Sequence, residues 1–390
     1  MAPNSISTES VPSSSCNSVK PNTPPASSSS SKGVEEKPTE GQEDWTWTWR
    51  DVKPLNTLVL IYLHVATFYS FFNLPHCWQT YLLQFLILLG AAFGVTAGSH
   101  RYFTHRSYRA NNALKYFLIF LQTLSAQEDI LKWVRDHRVH HKFTDTNADP
   151  HNSKRGFFFS HCGWLFIRKH PDVTTFGKKV DMSDLENDKV LLFHKMIYMP
   201  ASWIVAFIGP VWGAHYLWGE DLSASWHFNV VRYTLGLHVN WSINSFAHIW
   251  GMRPFDRNNS SRDSYIFGFL AFGEGWHNFH HAFPWDYKTG ELGNYWFNFS
   301  MIFIDFFAWL GWATDLKTVP DSVVKKRVLR TGDGTHRYSI EAKKNNEKIE
   351  EEVKNNNDGE RDLDHFWGWG DEDMQCEDIK DVAILHKHYE

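Results

Sequence analysis

Residues 55–98 read LNTLVLIYLHVATFYSFFNL, then PHCW, then QTYLLQFLILLGAAFGVTAG: two uncharged runs of twenty residues around a four-residue break. A helix rising about 1.5 Å per residue needs roughly that length to cross a hydrocarbon core of about 30 Å. So short a break predicts a helical hairpin whose outer ends emerge on one side. Further along, residues 196–217 (MIYMPASWIVAFIGPVWGAHYL) hold two prolines but no Asp, Glu, Lys or Arg. Residues 225–247 predict a fourth span, although they include Arg232, His238, Asn240 and Asn244. Polar groups inside a membrane helix face an interior and mark function. Arg50, Lys53, Arg101, Arg106, Lys189, Lys195, Arg253 and Arg257 flank the spans on one side, whereas the opposite loops, PHCW and WGEDLSA, carry no Lys or Arg. Positive charge marks the cytosolic face, so both termini and the large loops are expected there. The fold class is therefore an all-α integral membrane protein: four transmembrane helices with a helical cytosolic cap from residues 99–195 and 248–335. The apolar stretch 113–126 is too short for a fifth span and predicts a buried or interfacial helix.

Composition averages conceal this pattern. The chain has 390 residues, 43% hydrophobic, yet its mean hydropathy is −0.41. Residues 341–390 carry a net charge of −9 and residues 1–44 carry −3, against −5 for the whole, so the middle holds +7. Residues 1–44, with PNTPPASSSSSK, lack apolar periodicity and predict a disordered arm. No apolar run follows Met1, so no secretory signal peptide is expected. WTWTWR, residues 45–50, has the composition of an interfacial anchor. The expected main domain, residues 45–335, ends near the basic run KKRVLR, which suits anionic headgroups. Residues 336–390 predict an acidic, disordered tail, broken by the aromatic island HFWGWGD at 365–371. Cys16, Cys77, Cys162 and Cys376 form no CxxC pair, which excludes a disulfide scaffold and a Cys-type zinc domain.

Of 22 histidines, three clusters stand out: His100-Arg-Tyr-Phe-Thr-His105, His137-Arg-Val-His140-His141 and His277-Asn-Phe-His280-His281. On a helix, i and i+4 share a face about 40° apart while i+3 lies on the other flank. An H-x-x-H-H set can offer its outer rings to one metal and its middle ring to a neighbouring one. Two such sets build a dinuclear site. His100 and His105 lie about 140° apart on a regular helix, so their convergence demands a distorted helix end. Imidazole suits iron, zinc, copper and nickel alike, so spacing leaves the metal open.

The segments HRYFTH, RDHRVHH, TDTNADPHN, RGFFFSHCGWLFIRKHP, INSFAH and GEGWHNFHH resemble the membrane acyl-CoA desaturases, most closely the insect branch, over residues 45–335. The resemblance implies a di-iron centre. One iron would be held by His100, His105, His137, His141 and His280; the other by His140, His248, His277 and His281, with a water supported by Asn244. It supplies His248, which spacing alone does not. It also implies acyl-CoA contacts at Arg135, Asp136, Arg168, Lys169 and Asn56, with Trp241 lining the acyl channel. Glu128 stands where the family often has Asn, and an acid beside CoA phosphates needs a partner of its own.

The implied activity is conversion of a saturated long-chain acyl-CoA to its alkene, with O2 as co-substrate. Electrons would come from cytochrome b5 and its NADH-dependent reductase, in the endoplasmic reticulum membrane. The chain itself holds no haem motif of the b5 type and no dinucleotide fingerprint, and no nucleic-acid partner is expected. Δ9 is the default position. Tyr102-Phe103 and the segment 257–263 depart from the family's usual residues and leave Δ11 or another specialised insect-lipid position open. A membrane di-iron hydroxylase or sterol oxidase would add oxygen instead. A non-catalytic metal-binding or transport protein would place its ligands inside the spans. Glu274-x-x-His277 is a single match to the carboxylate-rich soluble di-iron plan and reads as incidental.

Overall fold

The computed structural model describes residues 48–291, 297–345, 366–374 and 382–387, with Pro38, Ile379 and the backbone of 6–10. Most of the arm expected to be disordered, and residues 346–365 of the tail, lie outside the described residues, as do Trp45 and Trp47; Trp49 is exposed.

Helix α1 (Pro54–Ser70) opens on a proline, whose missing N–H costs nothing at a helix start. Helix α2 (Trp78–Phe93) runs on through a π-helical stretch, Gly94–Thr104. The loop between them is tied to Glu220, which accepts from the His76 and Cys77 amides at 3.0 Å each and the Thr80 hydroxyl at 2.7 Å. Helix α3 (Asn112–Ser125) lies against α2, its Asn111 cap accepting from the Leu114 amide. It is a short, half-buried helix. Helix α4 (Ile130–Lys142) follows, capped by Asp129. Helices α5 (Lys189–Trp203) and α6 (Gly209–Trp218) are joined by the π-helical turn Ile204–Ile208. Helix α7 (Leu222–Ile249) packs along α1 and α2. Helices α8 (His277–Ala282), α9 (Phe299–Trp309), α10 (Asp321–Thr331) and α11 (Arg337–Lys344) complete the described helices used below.

Among the described residues, two helical stretches are long and apolar enough to cross a membrane: Trp78–Thr104, of 27 residues, and Lys189–Trp218, of 30. The other two expected spans are helices, but differ from simple crossings. α1 stops at Ser70 after 17 residues, and α7 carries Arg232. Pro210 explains how that charge is held. Lacking an N–H, it leaves the Ala206 carbonyl free. Arg232 donates to that carbonyl at 2.7 Å and to Asn229 Oδ1 at 2.7 Å, and Asn229 Nδ2 donates to the same carbonyl at 3.0 Å.

The all-α expectation needs one amendment. A three-stranded antiparallel sheet, in the order β1 (Ile6–Ser10), β3 (Ala383–Lys387), β2 (Leu316–Thr318), joins segments from both ends of the chain. The expected disordered tail also departs from the structure at particular residues. Arg337–Lys344 is helical, residues 366–374 pack on the cap, and Trp367 is fully buried. Average acidity concealed those apolar contacts.

The α2–α3 contact is close at Gly94, where an added Cβ would sit 2.3 Å from the Leu121 carbonyl carbon. Gly94→Val is expected to destabilise the protein by about 1–3 kcal/mol through overpacking. Thermal unfolding in detergent reads this directly; an unchanged midpoint contradicts the contact.

Candidate metal centre

Four segments converge beneath the spans. The π-helical stretch after α2 delivers His100 and His105, and the His105 amide donates to the His100 carbonyl at 3.2 Å. An i to i+5 hydrogen bond is the π-helical repeat, so the pair that a regular helix would splay comes together, with ring centroids 4.7 Å apart. Helix α4 brings His137, His140 and His141, the last turn of α7 brings His248, and α8 brings His277, His280 and His281. The nine rings form two groups, in each of which one ring nitrogen per residue lies within 4.8 Å of the others: His100, His105, His137, His141 and His280; and His140, His248, His277 and His281. The middle residue of each H-x-x-H-H set joins the opposite group from its neighbours.

Charge and tautomer decide what these groups can hold. His100 Nδ1 faces Glu274 Oε2 at 3.0 Å, His140 Nδ1 faces Asp149 Oδ1 at 3.0 Å, and His248 Nδ1 meets the Ser260 hydroxyl at 2.8 Å. His105 Nδ1 donates to the Trp367 carbonyl. With the Nδ1 proton committed, a neutral ring turns a bare Nε2 lone pair inward. Nε2 atoms then face each other: His100 to His280 at 2.9 Å, His280 to His141 at 3.1 Å, His277 to His248 at 3.0 Å and His281 to His277 at 3.2 Å. The Nε2 atoms of His105, His137 and His140 are buried without a hydrogen-bond partner. Each such orphan costs about 1–3 kcal/mol, and a shared cation removes the cost. Metal–imidazole bonds of about 2 Å fit donors spaced this way. The residues therefore fit two metal ions, and no all-imidazole donor set selects among the transition metals by itself.

Three residues outside the histidine pattern shape the site. Glu274 joins neither ligand group, so its spacing to His277 is incidental as read, yet its side chain acts behind another histidine. It orients His100 and accepts from Arg101 at 2.8 Å, and although burial raises its pKa, Arg101 and His100 overcome this and hold it at about 2. Asp149 contacts His140 at 3.0 Å and His151 at 3.4 Å. The sequence leaves His151 among thirteen unpatterned histidines, yet it lies in this cluster, its pKa lowered to about 3 by burial and by His140. The quoted segment TDTNADPHN contained the signal for both.

An apolar cavity opens onto the histidines. Leu88, Ala91 and Ala92 of α2 and Val95 of the π-helical stretch face Gly236, Val239 and Ile243 of α7, and His100, His137, His277 and Asn244 stand on its wall. Gln127, Glu128, Trp133 and Asp136 also line it.

The Fatty acid desaturase family model matches residues 77–303. The chain belongs to the fatty acid desaturase family. It is similar to the Acyl-CoA Delta-9 desaturase of Acheta domesticus, 45% identical over 335 residues, 85% of each chain. The Acyl-CoA Delta(11) desaturase of Spodoptera littoralis is 46% identical over 73% of this chain and 85% of its own. The Acyl-CoA Delta-12 desaturase of Tribolium castaneum is 44% identical over 89% of this chain and 94% of its own. The protein is thus an oxidoreductase of the fatty acid desaturase kind.

The desaturase scatters the remaining sequence-expected residues. Asp136 reaches the cavity and pairs with Lys169. Arg135 pairs with Glu186 at 2.6 Å. Arg168 is exposed beside Asp51, whose carbonyl accepts from its amide at 2.7 Å. Asn56 is exposed and donates to the Leu165 carbonyl at 3.1 Å. Trp241 departs from the expected channel wall. It is buried among His161, His238 and the α1 packing cluster, because its position on α7 faces away from the cavity. Glu128 has its own partner, Lys132 Nζ at 2.5 Å. Lys53, read from the sequence only as a charge flanking the first span, joins this group. Burial first, then Lys169 and Lys132, push its pKa down.

Asp149→Asn should weaken metal binding by about 10- to 100-fold through loss of the carboxylate behind His140, read by chelator competition; unchanged affinity would remove Asp149 from the site. Burial also pushes His105, His137, His141, His248, His277, His280 and His281 well below the ordinary 6.5. In the metal-free protein these rings stay neutral while the unfolded chain binds protons below about 6.5, so stability falls as pH drops from about 7 to 5. A melting temperature that rises on acidification refutes this.

Proposed function

We propose that the desaturase is a multi-pass enzyme of the endoplasmic reticulum membrane that desaturates a long-chain acyl-CoA. The observation that carries the reading is the apolar cavity between α2 and α7, closed at one side by two groups of buried histidines. Four spans are proposed, with both termini and the site cytosolic. The bare apolar faces of α1 and α5, including Leu58, Ile61, Val65, Phe68, Phe193 and Met196, support burial in lipid.

In this reading His100, His105, His137, His141 and His280 hold one iron, and His140, His248, His277 and His281 the other. Asn244, on the cavity wall, supports a metal-bound water. Irons bound there supply the oxidising power that an unactivated C–H bond requires. The protein's own part is to hold the chain and exclude water. Leu88, Ala91, Val95, Val239 and Ile243 grip the acyl chain by burial, so only one pair of methylenes stands beside the histidines. Lys53, Lys169, Arg168 and Arg135 gather cationic charge near the mouth for CoA phosphates, with Asp136 and Asn56 fixing its polar groups. The substrate loses two hydrogens, O2 takes four electrons, two from the substrate and two delivered singly by cytochrome b5, and with two protons from solvent two waters form. The +7 middle of the chain suits an acidic electron donor. Δ9 is the position assigned first.

Expression in a desaturase-deficient host, with derivatised gas chromatography–mass spectrometry, tests the reading. The wild type should yield a monounsaturated product two mass units below its substrate, and His140→Ala none. Gain of oxygen would point to a hydroxylase, and full activity in His140→Ala would sink the di-iron assignment.

A further inference from the structure

The aromatic island near the carboxyl end packs directly behind the five-histidine group. Trp367 is fully buried, and its carbonyl accepts from His105 Nδ1. The Trp369 amide donates to the His105 carbonyl at 3.0 Å. Between them Gly368 has φ +150°, and a Cβ there would lie 2.7 Å from His105 Cα. Only glycine allows that approach.

Each ligand this segment backs is followed in sequence by a cation, and the segment engages all three. The Trp367 ring lies against Arg106, at 4.8 Å, and Arg138, at 3.8 Å from the guanidinium carbon. Asp371, itself buried, accepts from Lys142 Nζ at 3.1 Å and from the Trp367 amide at 2.9 Å. Arg106, Arg138 and Lys142 follow His105, His137 and His141, all of the five-histidine group. None of these contacts reaches the four-histidine group.

We propose that residues 366–371 are a strap that positions His105 for its metal, with Trp367 as a positioning residue selective for one of the two ions. This rests on the di-iron reading above. The carbonyl fixes the His105 tautomer, and the ring and Asp371 hold that carbonyl against the helix carrying His137 and His141. Loss of such an outer partner lowers metal affinity by about 10- to 100-fold.

The test is iron content per chain of the full-length protein, purified in detergent and dialysed against a ferrous chelator. Wild type and Trp367→Phe, which keeps a ring against Arg138, should retain two ions. Trp367→Ala and Gly368→Ala should retain one, the loss falling on the five-histidine group. Two ions retained in both of these variants would overturn the strap, and so would parallel loss of both ions, which is general unfolding. A wild type without iron would sink the di-iron reading itself, and the strap with it.

Discussion

Nine largely buried imidazoles, with ring nitrogens facing one another near 3 Å, form the constraint on which the cap depends. Burial pushes seven of these rings well below the ordinary histidine pKa, and a neutral ring is a ligand rather than a cation. A neutral ring has one proton, so its second nitrogen must be told which way to face. The acceptors doing this come from separate parts of the chain: Glu274 ahead of α8, Asp149 after α4 and the Trp367 carbonyl from the tail, while the Ser260 hydroxyl meets His248. Glu274 could not stay charged there without Arg101, which is itself buried. The requirement for correct tautomers thus draws distant segments into one packed cap.

The apolar half solves a related problem with local helix distortion. Buried backbone and side-chain polar groups need partners wherever water is absent. Pro210 frees a carbonyl that Arg232 and Asn229 then use, while the π-helical stretch 94–104 rotates His105 under His100. A third π-helical turn, Phe159–Gly163, presents His161 to Ser245 at 2.9 Å and to His238 at 3.0 Å. In each case an irregular turn places a polar group that a regular helix would misdirect.

Patterns carried by spacing were legible in the sequence; patterns carried by through-space partners were not. Uncharged runs announced the hairpin, and i, i+3, i+4 geometry anticipated how the middle histidine of a cluster parts from its neighbours. The i to i+5 pair called for a distorted helix end, which the π-helix supplies. His248 had no local spacing and came only through resemblance. The spacing of Glu274 to His277 is incidental, as read, but its place behind His100, 174 positions earlier, had no local signal. Trp241 was misplaced because the periodicity of a 28-residue helix does not say which neighbour each face meets. The tail was misread through its net charge. Its Trp367 and Asp371 matter by where they meet Arg106, Arg138 and Lys142, and composition has no term for that.

Position of the double bond then becomes a matter of few residues. Relatives named for Δ9, Δ11 and Δ12 positions are 45%, 46% and 44% identical to this chain, so overall likeness does not track position. The histidine cluster cannot move to serve a different carbon, because its rings are locked by partners on several segments. On the function proposed above, what can change is how far an acyl chain would advance past it, set by the mouth at one end and by side-chain volume along α2 and α7. At Gly236 an added Cβ would lie 3.3 Å from Leu88 Cδ1, tighter than ordinary van der Waals contact, so even a methyl there would press on the facing wall. A methylene gained or lost on these walls shifts the register of the chain against a fixed centre. A rigid metal site beside a mutable apolar wall therefore allows one architecture to address different carbons.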